Sequence, residues 1–388
     1  MKKQEDAIIP ENIRLINGGF FYCINDLIFK GNRSEIYSGK KDLNYIPISS
    51  SSSYISKPPK KSNDSNNLIS KSQSEIEENQ NQENLFQISL YCIKKEPPFL
   101  KHPQLYKEYS ILNYLQKYIT DKNFSFIPKL YKFYPNEESD SFLITELLGT
   151  SVEKLFEFTK KKFPPLVSLE IISKIMDVIE KLHEIGIIHR NLNPSHFLFN
   201  KENTADIFNN AIVQKEIVID IKSNNLYLID YADAIFYLSD PNMDFKENHI
   251  EFSDKVQNYL NTNENFCSMW AELKMEQSRR DDLYSIFYML IYLMTGNLPW
   301  LNIKAKDNKH KRNKIRDKKL TLSSFELCKN FNKLIEEEVV SFVDYISGLT
   351  FNDKPNYKYL NYLLEKMKEK FRKSKNEEDT IDYIRIIN

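Results

Sequence analysis

Residues 187–199 read IIHRNLNPSHFLF, in which a polar run lies between two apolar ends. The segment before it, 168–185, predicts a helix, because Ser168 can cap its start and Gly186 is placed to end it. Its apolar residues recur every three or four positions, the spacing of a helix that packs one face against a core. They are Leu169, Ile172, Ile175, Met176, Ile179 and Leu182. The polar run is therefore expected to follow directly on a core helix.

The secondary-structure pattern changes from strand to helix along the chain. Residues 20–42 carry short β-type runs such as FFYCINDLIF, and FLITE at 142–146 and NLYLID at 225–230 also predict strands. Residues 102–118 predict a helix, and from about residue 279 onward the pattern is mostly helical. Strands first and helices later predict an α+β fold, with a small β-rich lobe and a larger, mainly helical lobe.

The bulk composition excludes several classes of protein. The 388-residue chain has 54 Lys and Arg against 54 Asp and Glu, so no net field favours nucleic acid, which is not expected as a partner. No run approaches the about 18 apolar residues of a spanning helix, so no membrane insertion is expected. The first residues lack the apolar stretch of a signal peptide. Because the four cysteines lie far apart, they indicate a reducing compartment, and we expect a cytoplasmic or also nuclear protein.

Two insertions interrupt the predicted domain. Residues 43–84 hold an SSSSS run and an Asn/Gln/Ser/Glu stretch that cannot bury enough apolar area to offset ordering, so we predict a disordered insertion. A second insertion, 201–222, contains EIVIDI, which predicts an added strand pair or a cover for a cleft. The chain is therefore divided into an N-terminal extension, 1–19, and one domain, 20–388, with an N-lobe of about 20–146 and a C-lobe of about 147–388.

Several further stretches are similar to one family. They are YCIKKEPPFLKHPQLYKE (91–108), ELLGTSVEKLF (146–156), MEQSRRDDLYS (275–285), GNLPW (296–300) and LTFNDKPNYKYL (349–360). Together with the His189-Arg190 pair, their order and spacing resemble the casein kinase I family of protein kinases. The resemblance runs from about residue 20 to near the C-terminus, interrupted by the insertions. It implies a protein kinase-like bilobal fold and a site for phosphoryl transfer.

The resemblance implies a nucleotide site that is partly retained. Lys94 takes the position that holds the α- and β-phosphates, and Glu108 follows at the spacing of its ion-pair partner. The two can equally form only an ion pair that links sheet to helix. Of the glycine-rich loop only Gly31 remains, while Phe29 and Ser34 fill the outer glycine positions. Glycine matters there because backbone amides must approach phosphates closely.

The adenine pocket that the resemblance implies is altered but not closed. The backbone of Glu146 and Leu148, which follow Thr145, would hydrogen-bond adenine. Cys92 takes the place of a roof residue, and Leu198 would form the floor. The apolar residues here would be buried with or without a nucleotide, so they hardly distinguish a chain that binds a nucleotide from one that does not.

The positions that carry chemistry in the catalytic loop are substituted. Asn191 replaces the aspartate that accepts the substrate hydroxyl proton, and a carboxamide cannot act as that base near neutral pH. Asn193 replaces a lysine that neutralises the transferred phosphoryl group. His196 replaces the asparagine that holds a second magnesium, although such a histidine is more often packed or hydrogen-bonded than a metal ligand. Asp230, in DYADA, retains the other metal-binding position.

Residues that support the fold match the family better. His189 and Arg190 begin the catalytic loop, and Asp281 is predicted to brace their backbone. The residues that support the fold are kept, whereas several residues that carry the chemistry are substituted. We therefore predict a pseudokinase, inactive or severely impaired, that acts as a protein-interaction or regulatory scaffold. Two alternatives remain: an atypical active serine/threonine kinase, and an ATP-binding regulatory module without transfer. The residues establish no cofactor, and the resemblance implies ATP with one Mg²⁺ or Mn²⁺.

Two segments are candidate surfaces for a protein partner. Residues 304–319 carry nine Lys and Arg and two Asp, which predicts either docking of acidic or phosphorylated protein or a solvated lysine-rich loop. The activation segment, which follows Asp230, barely resembles the family. Trp270 within it can anchor a partner or pack in the core.

Overall fold

The first part of the chain folds into a six-stranded sheet with the order β1-β2-β3-β4-β6-β5, and all neighbouring strands are antiparallel. Its strands are β1 (Arg14–Asn17), β2 (Phe20–Lys30), β3 (Glu35–Asp42), β4 (Leu90–Glu96), β5 (Leu130–Tyr134) and β6 (Ser141–Glu146). The structure, a computed structural model, describes residues 14–17, 20–30, 34–42, 90–119, 126–200, 216–221, 225–238, 263–374, 376, 381 and 383–387.

Alternation in β4 sends its side chains to opposite faces of this sheet. Tyr91 and Ile93 are buried with Phe142 and Ile144 of β6 in a small apolar cluster. Lys94, the next residue along, therefore points to the other face, where helix α1 (Leu105–Tyr118) crosses the sheet.

The start of α1 is tied to the end of β4. The carboxylate of Glu96 accepts hydrogen bonds from the backbone N–H groups of Gln104 (2.9 Å) and Leu105 (3.3 Å). These N–H groups have no partner inside the helix, so a carboxylate satisfies them well. This bond explains why the helix begins at Leu105 and not at 102, and it fixes the position of Glu108 one turn later.

The remainder of the chain is mainly helical. The helices are α2 (Val152–Phe158), α3 (Pro165–Glu184), α4 (Met269–Glu272), α5 (Arg279–Thr295), α6 (Asn308–Thr321), α7 (Ser324–Cys328), α8 (Glu336–Ser347) and α9 (Tyr357–Arg372), with short 3-10 helices at Pro194–His196, Tyr231–Asp233 and Lys333–Ile335. Within the described ranges no helix is both long and apolar enough to cross a membrane. The predicted bilobal α+β architecture is confirmed.

The core of the larger lobe forms around α3 and α5. Nearly every residue of α5 is buried, as expected of a helix surrounded by other helices, and it packs between α3 and α8. The predicted cap of α3 is wrong: the helix begins at Pro165, whose fixed φ suits a first position. Ser168 instead lies inside the helix and donates a hydrogen bond to the carbonyl of Leu293, which links α3 to α5 (3.0 Å).

Gly186 ends α3 as predicted. It has a φ of +88°, and a Cβ atom there would lie 2.9 Å from Leu238 Cδ1. Both the backbone angle and the close neighbour favour glycine at this turn. The chain then enters β7 (Ile187–Ile188), which pairs with β11 (Ile235–Phe236).

Short strands flank the catalytic loop. β8 (Phe197–Phe199) pairs with β10 (Leu226–Leu228), and β9 (Glu216–Asp220) pairs with β12 (Tyr383–Ile387) close to the C-terminus. The strand predicted in the 201–222 insertion is therefore present, and its partner comes from the other end of the domain. β1 lies within the segment assigned to the N-terminal extension. The low-complexity insertion at 43–84 and residues 201–215 lie outside the described residues.

Candidate functional site

Three charged side chains meet where the sheet faces the helical lobe. Lys94 Nζ lies 2.6 Å from Glu108 Oε2 and 2.9 Å from Asp230 Oδ1. Burial alone would lower the pKa of Lys94, but the carboxylates of Asp230 and Glu108 outweigh it and raise the pKa above its usual value. Burial likewise acts to raise the pKa of Asp230, yet Lys94 holds it below the usual range. Lys94 is therefore a charged ammonium beside the Asp230 carboxylate, while burial raises the pKa of Glu108 above its usual value in spite of the nearby Lys94.

Asp230 is presented by an unusual backbone. Its φ is +65°, in the left-handed region that non-glycine residues rarely occupy, and the 3-10 helix Tyr231–Asp233 follows at once. Tyr231 is fully buried and packs edge-on against His189, at 5.2 Å between ring centroids. This packing and the Lys94 ion pair hold Asp230 in place, so the strained backbone is maintained by its surroundings.

Asn191 has hydrogen-bond partners on both sides of its carboxamide. Its Oδ1 accepts from the backbone N–H of Asn263 (3.1 Å), and its Nδ2 donates to Asp233 Oδ2 at 3.4 Å. Asp233 is buried and also accepts from Gln104 Nε2, at the start of α1 (3.4 Å). Asn191 thus joins the two ends of the activation segment. Sequence reasoning missed Asp233 and Asn263; the only signal was that an amide, unlike a carboxylate, can donate to Asp233.

Asn193 performs a structural role in place of a charged one. Its Oδ1 accepts from the backbone N–H of Ser195 (3.0 Å) and from the Ser195 hydroxyl, which caps the 3-10 helix Pro194–His196. Its Nδ2 donates to the carbonyl of Asn191 (3.3 Å) and lies 3.1 Å from His196 Nδ1. No positive charge is available from this position.

His196 faces Asp230. Its Nδ1 lies 2.9 Å from the carbonyl oxygen of Asn191, and its Nε2 lies 3.4 Å from Asp230 Oδ2. The structure therefore brings together both side chains assigned to metal binding. Among the described residues no cluster of three or more His, Cys, Asp and Glu could hold a metal by itself. One carboxylate with an imidazole does not fit a pair of magnesium ions, because Mg²⁺ prefers hard oxygen ligands.

The backbone of the catalytic loop is braced by Asp282, so the assignment to Asp281 is wrong by one position. Asp282 accepts from the backbone N–H groups of His189 (2.8 Å) and Arg190 (2.9 Å) and contacts His183 Nε2 (3.0 Å). Asp281 occupies the third position of α5 and folds back to the N–H of Ser278 (2.7 Å), closing a capping box. Its carboxylate therefore points away from the loop.

Arg190 is also held from the activation segment. Its φ is +67°, and its Nε donates to the carbonyl oxygen of Asp233 (2.7 Å). His189 Nε2 donates to the carbonyl of Ile229 (3.2 Å), and burial lowers the pKa of His189 to about 4, so the ring is neutral at pH 7. Both side chains thus bond backbone carbonyls next to Asp230, at Ile229 and Asp233.

The structure locates several of the residues predicted to line an adenine pocket. Cys92 and Thr145 are register partners on β4 and β6, and burial raises the pKa of the Cys92 thiol to about 11. Leu198 is half-buried and alternates with buried Phe197 and Phe199, so it faces the opposite side of β8.

The two residues whose backbone was predicted to hydrogen-bond adenine can also be located. The N–H of Glu146 donates to the carbonyl of Lys129 (2.8 Å), and Leu148 is buried. Gly31 lies outside the described residues, and so does the side chain of Phe29.

The basic segment 304–319 is mostly helix α6, not a loop, and part of its charge is used internally. Lys319 is buried, donates to the carbonyls of Glu264 and Cys267 (2.7 Å each) and lies over the Trp300 ring. Arg312 binds Glu272 at 3.0 Å. These residues anchor the end of the activation segment.

The second candidate anchor, Trp270, is half-buried beneath Arg280, whose guanidinium carbon lies 4.4 Å from its ring centroid. A stacked arginine occupies this face of the indole, which agrees with the packing alternative.

The chain is similar to several known kinases. A profile of the lipopolysaccharide kinase (Kdo/WaaP) family matches residues 132–225, which include the catalytic loop. Casein kinase I homolog 2 of Schizosaccharomyces pombe is 29% identical over 282 residues, 73% of this chain. A probable casein kinase I homolog of Encephalitozoon cuniculi is 32% identical over 241 residues, 61% of this chain. The chain spans 57% of the length of the first relative and 69% of the second.

These similarities agree with the architecture and with the arrangement of Lys94, Glu108 and Asp230 around the catalytic loop. The family predicted from the motifs is confirmed, while the state of its chemistry is a separate question. The chain belongs to the casein kinase I family of protein kinases.

Proposed function

We propose that this chain is a pseudokinase of the casein kinase I family that binds a nucleotide, transfers phosphate poorly or not at all, and acts as a regulatory scaffold for protein partners. The observation that carries the proposal is the state of Asn191. Its carboxamide stands at the position of the base and is bonded on both sides, to Asp233 and Asn263. A carboxamide cannot take a proton from a serine hydroxyl, and general base catalysis is worth about 10²–10⁴ in rate.

Nucleotide binding is supported by the charged cluster. Lys94 is charged and within bonding distance of Glu108 and Asp230, the arrangement that orients a lysine toward phosphates in kinases. The candidate ligand is ATP with a divalent cation. Asp230 would hold the cation through its carboxylate, and Lys94 would contact the phosphates.

A thermal-shift titration with ATP, with and without Mg²⁺ or Mn²⁺, tests this binding. Ligand at 100 times its Kd should stabilise the fold by about 2.7 kcal/mol by mass action. Lys94→Ala is the matched control, and its response should be flat. A flat response of the wild-type chain would remove nucleotide binding from the proposal.

Catalysis is tested with labelled ATP and an acidic, casein-type substrate. We expect turnover at the level of the Lys94→Ala and Asp230→Ala controls. Clear turnover above both controls would overturn the pseudokinase assignment.

The second candidate, an atypical active kinase, is favoured by one observation. The carboxylate of Asp233 lies 3.4 Å from the Asn191 amide, close to the position of the missing base. If wild-type turnover is found, Asp233→Asn should abolish it while leaving nucleotide binding intact. Retained turnover in that variant would exclude Asp233 as the substitute base.

A protein partner would meet the exposed part of the basic segment. Lys306, Lys309 and Lys318 are exposed, in contrast to buried Lys319. An acidic phosphopeptide should bind more weakly, and with less salt dependence, when these three are changed to Glu. Lys373→Glu, at the exposed residue that follows α9, is the control for a charge reversal away from this surface. Equal binding by all variants would exclude this surface.

A further inference from the structure

We propose that the groove between α1 and β11 is a docking site for an acidic protein segment that carries one apolar side chain. The groove lies between the two lobes, because α1 packs on the sheet and β11 pairs with β7 in the helical lobe. Its volume is about 380 Å³, and its lining includes Tyr106, Lys107, Ser110, Ile111, Ala234 and Phe236. The inference rests on the proposed scaffold role and names a surface for it, and it does not depend on nucleotide binding.

Two contacts close the groove at its ends. Gln104, at the start of α1, donates to Asp233 at 3.4 Å, and Tyr114 packs edge-on against Phe236 at 4.7 Å between ring centroids. From Gln104 to Tyr114 the backbone advances about 15 Å along the helix axis, at about 1.5 Å per residue. An extended chain advances about 3.3 Å per residue. The groove therefore has the length of about four or five residues of an extended peptide, which favours a protein segment over a small ligand.

The groove combines buried apolar residues with an exposed aromatic ring. Ile111 and Ala234 are buried, whereas Tyr106 is 65% exposed. Tyrosine is one of the residue types that most often dominate the binding energy of protein interfaces. An aliphatic or aromatic side chain of a partner would cover Tyr106 and contact the apolar residues beside it.

Lys107 supplies an uncompensated positive charge in this groove. Among the described residues, no acceptor lies within hydrogen-bond or ion-pair distance of its ammonium group. Burial lowers the pKa of Lys107 to about 8, and the positive charge of Arg190 acts in the same direction, against a smaller opposing effect of Asp233. Because a nearby anion stabilises an ammonium ion, the site favours a negatively charged partner.

The charges along α1 and the loop before it have the same sign. Lys101 and Lys117 are exposed. The only acidic residue between positions 97 and 118 is Glu108, which is buried and paired with Lys94. This surface therefore attracts an acidic segment and repels a basic one. The charge and the apolar lining together specify an acidic partner with an apolar anchor.

A direct binding measurement tests the site. The probe is a short labelled peptide of Asp and Glu with one central Phe, and fluorescence polarisation gives its affinity. We expect Lys107→Met, which keeps an apolar stem and removes the charge, to weaken binding about tenfold or more, the scale of a charge-assisted hydrogen bond. Lys117→Met, at the exposed end of the same helix, is the matched control and should bind nearly as the wild type does. Equal affinities of the two variants would overturn the inference.

Two further comparisons locate the probe on the chain. Ser110→Trp fills the groove and should abolish binding, as should alanine in place of the central Phe of the peptide. A chain with Lys306, Lys309 and Lys318 changed to Glu should still bind the probe, because α6 is not part of the groove. Binding that is lost in this triple variant and kept in Ser110→Trp would assign the peptide to α6 and overturn the inference.

A readout on the wild-type chain does not require a variant to fold. With a photo-reactive phenylalanine at the centre of the peptide, mass spectrometry should find crosslinks on α1 and β11, and crosslinks only elsewhere would overturn the inference. The thermal shift with ATP, measured on the same samples, separates this site from the nucleotide site. Peptide binding without an ATP-dependent shift would remove nucleotide binding alone, whereas an ATP-dependent shift without peptide binding would overturn the docking site alone.

Discussion

The two sides of the catalytic loop, 189–196, differ in what they retain. The side that faces the helical lobe is held by Asp282, which contacts the N–H groups of both His189 and Arg190. This carboxylate is buried and also contacts His183, whose Nδ1 lies 2.5 Å from the hydroxyl of Tyr357 on α9. All these contacts support the fold.

The side that faces the cleft carries amides and an imidazole. Asn191 and Asn193 use their carboxamides to bond neighbouring backbone and side chains, and His196 turns toward Asp230. Each of these side chains has a definite partner, so the cleft side of the loop is as specifically bonded as the side that faces the helical lobe. The comparison teaches that the backbone of the loop and its cleft-facing side chains are held by separate sets of contacts.

The largest expected effect comes from removing the brace. Asp282→Ala should lower the free energy of unfolding by about 3–5 kcal/mol, the usual cost of removing one partner from a buried ionic network. Asp281→Ala is the matched control and should cost about 1–2 kcal/mol, because it removes a helix cap. Denaturant unfolding measures both. Equal losses would mean that the two aspartates share the brace.

The difference between these neighbours also shows what the sequence could predict. The motif SRRDD predicted the aspartate that braces the catalytic loop to within one residue. Which of the two aspartates does so depends on which one caps the start of α5. Similarly, Ser168 looked like a cap, and only the packing of α3 against α5 shows that it bonds Leu293. Local patterns predict an element well, whereas the partner of a polar side chain depends on its tertiary neighbours.

Contacts between residues far apart in the chain could be predicted from the sequence only where a known motif links them. Lys94, Glu108 and Asp230 were assigned through motifs with known spacing, and the structure brings them together. Asp233 and Asn263 were missed because they meet Asn191 across 42 and 72 residues of chain. The pairing of β9 with β12 joins segments even further apart. No periodicity within either segment specifies such a partner.

The second prediction concerns the pH dependence of stability that arises from His189, on the side of the catalytic loop that faces the helical lobe. Burial lowers the pKa of His189 from 6.5 to about 4 in the folded chain. Between these values the unfolded chain binds more protons, so stability present above pH 6.5 is lost as pH falls toward 4, by about 3 kcal/mol from this group. Asp281, whose pKa burial raises to about 6, acts in the opposite direction.

The variant His189→Gln isolates this contribution. Glutamine can still donate to the Ile229 carbonyl but does not titrate. Melting temperatures measured from pH 7 to pH 4 should therefore fall less steeply in the variant than in the wild type. Parallel curves would show that His189 does not carry the pH dependence.

The third prediction addresses the cleft side. Asn191→Asp restores a carboxylate at the base position, but it replaces the amide that donates to Asp233 Oδ2 at 3.4 Å. Two carboxylates at this distance repel until they share a proton, so we expect a loss of about 2 kcal/mol of stability and no recovery of activity. Adding Asp233→Asn should restore the stability, which a double-mutant cycle measures. Brisk turnover by Asn191→Asp alone would contradict the expectation that this variant stays inactive.

The smallest effect is expected at Asn193. Asn193→Lys restores the lysine implied by the family but removes the cap of the 3-10 helix Pro194–His196, where Oδ1 accepts from the Ser195 N–H at 3.0 Å. Loss of a cap of this kind costs about 1 kcal/mol. Asn193→Asp, which keeps a capping oxygen, should leave stability almost unchanged and is the control. If both variants cost the same, the capping role is excluded, and the amide nitrogen that bonds the Asn191 carbonyl must carry the function of this residue.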